Sequence, residues 1–228
     1  LHLSVATAAF KHGFHVLSDK PATTTLAECI ALRDALKSSG CLYGLTHPYG
    51  SYPLIVEAAE RVRAGQVGTV RKVLVEYTQG WLAEPIERRG QKQAIWRLDP
   101  KRAGLSSCMG DIGVHAFHLA ELVTNLRTTE LCADLNSIVA GRELDDDGAA
   151  FLRFDNGARG VLVASQICTG DENDLRLHVY GDAASLEWRQ QEPNSLWLKH
   201  AHKPTELIRS GGAGLGAAAR ANSRLPSG

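Results

Sequence analysis

Three short stretches carry the side chains best suited to chemistry. The first is Asp19-Lys20-Pro21, which follows the apolar run His15-Val16-Leu17-Ser18. A lysine there sets a compact positive charge at the carboxyl end of a strand, where α/β sheets gather ligands. Such a charge stabilises an oxygen that grows more negative during reaction. The second is Asp111-Ile112-Gly113-Val114-His115. Positions i and i+4 share one helix face, so the carboxylate and the imidazole can meet one substrate together. Histidine titrates near neutrality and can take a hydroxyl proton and return it. Asp111 can orient that ring or bind a neighbouring hydroxyl. The third is Trp81 with Trp96-Arg97. An indole face and a guanidinium fork suit polyhydroxylated ligands.

Each stretch also has a plain structural reading: an exposed turn, a helix-start Asp beside a core His, and loop packing. His118 would extend Asp111 and His115 toward a metal triad, but no further ligand stands at a familiar spacing, and no metal is expected. Asp145-Asp146-Asp147 lacks the spacing of a calcium loop and is expected to be solvated. Gly211-Gly212-Ala213-Gly214 follows no strand, so it is not read as a phosphate loop.

The elements that must hold these residues follow from periodicity. Leu3, Val5, Ala6, Ala9 and Phe10 share a helical face that stops at Gly13. Phe14 to Ser18 is a short apolar strand. Thr25-Leu26-Ala27-Glu28 is a capping box, and Leu26, Cys29, Leu32 and Leu36 continue it as a helical stripe up to Gly40. Cys41 to Thr46 is a second strand. A strand–helix–strand unit of about 30 residues has the size of a parallel crossover. Another helix is predicted over 51–64, with Pro53 in its first turn. Beyond Gly68 the pattern alternates, with Val73, Val75 and Tyr77 on one side. Strands are predicted at 71–79, 130–138, 149–154, 158–166, 175–180, 185–189 and 196–200, with one helix over 110–124 between them. Asp155-Asn156-Gly157 is a hairpin turn. The fold class is therefore α/β followed by α+β: part of a parallel sheet, then a mostly antiparallel open sheet with helices on one side. The predicted division is 1–50, 51–209, and a Gly-, Ala- and Ser-rich flexible tail over 210–228.

Composition narrows the classes of function. The 228 residues carry 25 Lys plus Arg against 25 Asp plus Glu. No surplus of positive charge exists to displace counterions from phosphate, which argues against nucleic acid as a partner. No apolar run reaches the about 18 residues that a membrane helix needs. The five cysteines are scattered, odd in number and without a C-x-x-C pair. That fits neither a disulfide framework nor a zinc knuckle and points to a reducing, cytoplasmic setting. The first residues carry no basic stretch followed by an apolar one, so no secretory leader is expected.

In order and spacing these motifs resemble the Gfo/Idh/MocA family of NAD(P)-dependent oxidoreductases. Gly13 to Pro21 is similar to its G-x-H-V-x-x-E-K-P segment, with Asp19 for the usual Glu. Gly65-Gln66-Val67-Gly68 is similar to the turn before its sheet domain. Trp96 and Gly110 to His115 resemble its D-x-G-x-H motif; Asn156-Gly157-Ala158 and Val179 to Trp188 match its later strands. The resemblance implies a Rossmann-like remnant over 1–50 and a substrate-binding and oligomerisation domain over 51–209. It implies NAD or NADP as cofactor, with Asp19, Lys20 and Pro21 at its nicotinamide end. Substrate would be a sugar, polyol or inositol-like alcohol or carbonyl, contacted by Trp96, Arg97 and Asp111. Catalysis would rest on Lys20, Asp111 and His115, with His115 as the acid/base. A homodimer or homotetramer through the sheet face is implied too. Three alternatives stay open: a non-catalytic NAD(P)-binding member, one that uses transient oxidation for glycoside cleavage or epimerisation, and a metal-dependent hydrolase using Asp111, His115 and His118. Family members begin with a strand and a G-x-G-x-x-G turn absent here, so about 80 residues are expected upstream. The C-terminal end is expected to continue as well. Residues 1–228 alone are then expected to bind dinucleotide poorly and to be inactive, since the pyrophosphate lacks its helix N-terminus.

Overall fold

The computed structural model describes residues 2–223. Its first unit is α1 (His2–Lys11), β1 (Val16–Ser18), α2 (Leu26–Ser39) and β2 (Tyr43–Leu45). β1 and β2 are parallel, with Val16 opposite Tyr43 and Ser18 opposite Leu45. α2 begins at the capping box: the Glu28 N–H donates to the Thr25 hydroxyl at 3.2 Å, and the Glu28 carboxylate accepts from the Thr24 N–H at 3.0 Å. Gly40 closes the helix at φ 67°, a left-handed conformation that glycine adopts without a Cβ clash. Ala6, Phe10 and Leu32 form a small core of their own. The predicted stripe of α2 is used only in part, because Leu26 and Cys29 are exposed. A parallel sheet is normally covered on both faces; in this two-stranded one, Phe14, Leu17 and Leu42 are exposed.

The second unit opens with α3 (Pro53–Arg63) and β3 (Val70–Thr78). Two short helices follow, α4 (Lys92–Arg97) and α5 (Pro100–Ala103). A π-helical turn, Met109–Gly113, then runs directly into α6 (Val114–Thr124). The remaining strands are β4 (Thr128–Asn136), β5 (Asp147–Phe154), β6 (Arg159–Ser165), β7 (Asp174–Gly181), β8 (Ala184–Arg189), β9 (Ser195–His200) and β10 (Glu206–Arg209). A last helix is α7 (Ala217–Asn222). All eight strands form one sheet in the order β10-β9-β8-β7-β3-β6-β5-β4. Only β3 and β6 run parallel; the other neighbours are antiparallel. The central parallel pair sets Thr78 opposite Ser165, so both strands end at the same rim.

One face of the sheet is buried. Val73, Val75 and Tyr77 point inward as the alternation predicts, toward α6, and share one core with Leu54, Ile55 and Ala58 of α3. From α6 come Ala116, Leu119, Ala120 and Val123, the spacing of a single helical stripe. Gly113 leaves room for the Met109 side chain within the π turn, beside β6. A Cβ there would lie 2.1 Å from Met109 Sδ and 3.4 Å from the Ala164 Cβ. The opposite face carries Phe151, Tyr180 and Leu207 exposed. The Asp155-Asn156-Gly157 turn joins β5 to β6, with the Ala158 N–H on Asn156 Oδ1 at 2.9 Å.

Several expectations are corrected. Asp145 and Asp146 are buried, not solvated. Asp145 accepts the Ser107 and Met109 N–H groups at 2.8 and 2.7 Å at the start of the π turn. Asp146 accepts those of Ile138 and Val139 at 2.8 and 3.0 Å. Buried backbone donors need acceptors, and consecutive carboxylates supply them. The tail is not featureless: Leu215 and Ala219 are buried, and the Gly216 N–H donates to Glu57 at 2.7 Å, seating α7 on α3. The part of that tail over 224–228 lies outside the described residues. β10 and the short helices over 86–103 lacked a periodic signal long enough to read. The helix over 110–124 is π-helical in its first turn. All five cysteines are free thiols. Among the described residues no helix is long and apolar enough to cross a membrane.

Candidate active site

The site forms where the carboxyl ends of β1 and β2 face the π turn. Asp19 Oδ1 accepts the Lys20 N–H at 2.8 Å and the Thr46 hydroxyl at 3.0 Å. It thereby ties together the two parallel strand ends. Lys20 crosses from this loop to the second unit. Its Nζ donates to Asp111 Oδ1 at 2.6 Å and also to the Asp111 carbonyl.

Asp111 is the hub. Its Oδ2 accepts from Arg97 Nε at 3.2 Å and from Gln166 Nε2 at 3.1 Å. Burial pushes the carboxyl pKa up; the Lys20 charge and hydrogen bond, then Arg97 and Gln166, outweigh it and hold the group below the usual carboxylate range. The carboxylate is therefore ionised at neutral pH. Arg97 lies over the Trp96 ring at 4.4 Å and beside Trp81 at 5.9 Å from its centroid, where a guanidinium gains from the ring quadrupole. π turns recur at functional sites because they break the regular ladder, and here one carries Asp111.

One cavity of about 290 Å³ is lined by Asp19, Lys20, Pro21, Trp96, Arg97 and Asp111. Six of the eight residues singled out in the sequence thus face the same hollow, Trp81 standing outside its lining. His115 does not face it either. It is 5% exposed and lies outside the lining of this cavity and of the larger, apolar groove of about 760 Å³ that also borders Lys20. Its ring packs edge-on against Tyr49 at 4.8 Å and His47 at 5.6 Å. Its Nδ1 is buried without a hydrogen-bond partner. Burial first, then the charges of Lys20 and His47, press its pKa down to about 4, against the opposing pull of Asp111. The imidazole is buried within the electrostatic reach of Lys20 and is neutral at pH 7. His118 stacks flat on His47 at 4.1 Å. Among the described residues no three His, Cys, Asp or Glu side chains are grouped to hold a metal.

Further polar side chains connect to this front. Gln166 follows β6 and Gln79 follows β3, so the parallel pair sets them side by side. Gln166 Nε2 donates to Gln79 Oε1 at 3.3 Å, and the Trp81 indole N–H donates to the same oxygen at 2.9 Å. Gln79 Nε2 donates to Asn173 Oδ1 at 2.7 Å, which also accepts from the Tyr77 hydroxyl. Tyr77 in turn meets Tyr49, whose ring abuts His115. No local signal marks these residues, because the β3–β6 pairing joins positions far apart in the chain.

Residues 55–187, more than half of the chain, match the GFO/IDH/MocA C-terminal domain, and residues 1–47 match the oxidoreductase family's NAD-binding Rossmann fold. The chain is 28% identical over 226 residues to the uncharacterized oxidoreductase YfiI of Bacillus subtilis, covering 98% of this chain and 58% of that protein. It is 26% identical over 223 residues to the levoglucosan dehydrogenase of Pseudarthrobacter phenanthrenivorans, covering 88% of this chain and 56% of that protein. An inositol dehydrogenase homolog from Azotobacter vinelandii, solved in complex with NAD+, superposes with a TM-score of 0.94 at 31% identity. That match covers 100% of this chain and 59% of the other. The chain thus spans somewhat over half the length of the relatives it matches. By these two domain matches, the chain belongs to the GFO/IDH/MocA family of oxidoreductases.

Proposed function

We propose that this chain supplies the catalytic groups of an NAD- or NADP-linked oxidoreductase acting on a sugar, polyol or inositol-like alcohol or carbonyl. The observation that carries the reading is the Lys20–Asp111 bridge, which joins a Rossmann-type strand end to the sheet unit across a cavity lined with indole and guanidinium groups. The relatives named for inositol and levoglucosan dehydrogenation support a polyhydroxylated substrate. Asp19, Lys20 and Pro21 fit the nicotinamide end of the cofactor by the chemistry of their groups: a carboxylate, an ammonium and a rigid proline at the carboxyl ends of parallel strands. A bound nicotinamide supplies the hydride acceptor or donor.

The chain's own residues do the rest. Lys20 holds its ammonium toward the reacting oxygen and stabilises the alkoxide character that develops there. Asp111 orients substrate. A carboxylate has roughly four acceptor positions, and Lys20, Arg97 and Gln166 occupy three, so one remains for a hydroxyl. His115 is the proton acceptor in oxidation and the donor in reduction. With Nδ1 sealed, Nε2 is the ring nitrogen left for that proton, and because the ring lines neither cavity it reaches substrate only by a movement of its surroundings. Trp96 and Arg97 form the apolar and hydrogen-bonding wall for the rest of the ligand. The exposed sheet face, with Phe151 and Leu207, supports pairing with a second copy as a homodimer or homotetramer. The free thiols support a cytoplasmic setting.

The test uses the protein at its native length, with NAD+ and NADP+ and a panel of neutral polyols, inositols and sugars, followed by nicotinamide absorbance. His115→Ala is expected to keep cofactor affinity and to lose about 10²- to 10⁴-fold in kcat. Lys20→Met is expected to abolish turnover. Unchanged turnover in either variant refutes the assigned role.

A further inference from the structure

We infer that Gln166 is a positioning residue of this site, retained to hold the Asp111 carboxylate in place rather than to stabilise the fold. The inference rests on the proposed role of Asp111. Gln166 is fully buried. One amide nitrogen serves two acceptors, Asp111 Oδ2 at 3.1 Å and Gln79 Oε1 at 3.3 Å. Its Oε1 is buried with no partner at all.

The orientation of the amide is dictated by its neighbours. The indole N–H of Trp81 can only donate, so the Gln79 atom it meets is the oxygen. Gln166 must then offer nitrogen to that oxygen, and nitrogen again to the ionised Asp111. Turning the amide over would set an oxygen against a carboxylate and a carbonyl. The unpartnered Oε1 is thus forced by the two donor bonds.

An orphaned buried acceptor destabilises the folded state, and an apolar side chain of the same shape would remove that penalty. Neither partner would be stranded, because Asp111 Oδ2 keeps Arg97 and Gln79 Oε1 keeps Trp81. The orphaned oxygen thus offsets much of what the donor bond to Asp111 adds to folding at neutral pH, and stability alone gives little reason for a glutamine here. The glutamine gives the site a fixed second donor on Asp111. Without it, the carboxylate is free to swing about the Lys20 and Arg97 contacts and loses its aim at a substrate hydroxyl. The charged and titratable groups around Asp111 are Lys20 from the loop after β1, Arg97 from α4, Cys108 before the π turn, His115 from α6 and Tyr77 from β3.

Gln166→Met at native length is the first test. Melting temperature is expected to change little, while kcat/KM falls about tenfold or more, the scale of a hydrogen bond to a charged group. Affinity for the nicotinamide cofactor is expected to be unchanged, and the acid limb of kcat/KM to move to higher pH as Asp111 loses a donor. Gln166→Glu is the second. It keeps the shape and can donate only while protonated, so its activity is expected to fall as pH rises through the new carboxyl's titration. A Gln166→Met protein with parental kcat/KM and parental pH profile overturns the inference, as does a Gln166→Glu protein with parental pH dependence. If Lys20→Met is inactive at the same time, only the role of Gln166 fails. If Lys20→Met is fully active, the reading of the whole site fails with it.

Discussion

Acid should destabilise this protein in a window set by His115, and the size of the effect follows from its burial. An exposed imidazole titrates near 6.5; His115, 5% exposed and without an Nδ1 partner, titrates at about 4. The unfolded chain therefore takes up a proton as pH falls through about 6.5, while the folded chain refuses it until about 4. Stability is lost across that interval and the loss levels off below it. At about 1.36 kcal/mol per pH unit the full gap amounts to about 3 kcal/mol, and about 2 kcal/mol is lost by pH 4.5. His47 and His118 are also pressed below the usual range, by burial first, and act in the same direction. Asp111 and Asp174, held low by their cationic partners, lose their stabilisation only at lower pH, as each is protonated through its folded-state value. Urea denaturation of the native-length protein at pH 7 and pH 4.5, repeated with His115→Gln, isolates the contribution. The variant is expected to lose about 2 kcal/mol less than the parent over that interval, with equal denaturant slopes. Parallel losses in the two proteins would show that His115 is not the buried neutral imidazole described here.

Two further perturbations test how the site is supported. The Arg142 side chain is 1% exposed; it pairs with Asp146 at 3.0 Å and Glu87 at 3.1 Å and donates to the Leu82 and Glu84 carbonyls. Arg142→Met should cost about 3 kcal/mol in urea denaturation by stranding the buried Asp146 charge. It should also raise KM by loosening the loop that carries Trp81, whereas a loss under about 1 kcal/mol would contradict the burial of that pair. Thr25→Ala removes the N-cap of α2 and should cost about 1 kcal/mol. Hydrogen exchange should show the loss in the first turn of α2, with the large sheet unchanged.

Much of the fold was legible because the signals were local. The capping box at Thr25, the stop at Gly40 and the turn at Asn156-Gly157 are decided by a few adjacent residues. The alternation of Val73, Val75 and Tyr77 reports a half-buried strand wherever its partners lie. The grouping of Asp19, Lys20, Pro21 and Asp111 around one cavity was legible for a similar reason, since strand ends and helix starts bring polar groups to predictable edges. The fate of Asp145-Asp146-Asp147 was not, because three adjacent carboxylates look alike in a solvated loop and beneath buried N–H groups. α7 was hidden by its short, Ala-rich stretch, which gains its order from Glu57 and α3.

Residue types and their spacing settled which groups are chemically capable: an ammonium after a strand, a carboxylate and an imidazole four residues apart, an indole beside a guanidinium. Those properties belong to short segments and survive any packing. Long-range contact settled what each group does. The β3–β6 pairing brought Gln79 and Gln166 together, the reach of Lys20 to the π turn made Asp111 a hub, and the closing of α6 onto the sheet took His115 out of water. Charge state and aim depend on desolvation and on neighbours distant in the chain, and both arise only when the two units meet.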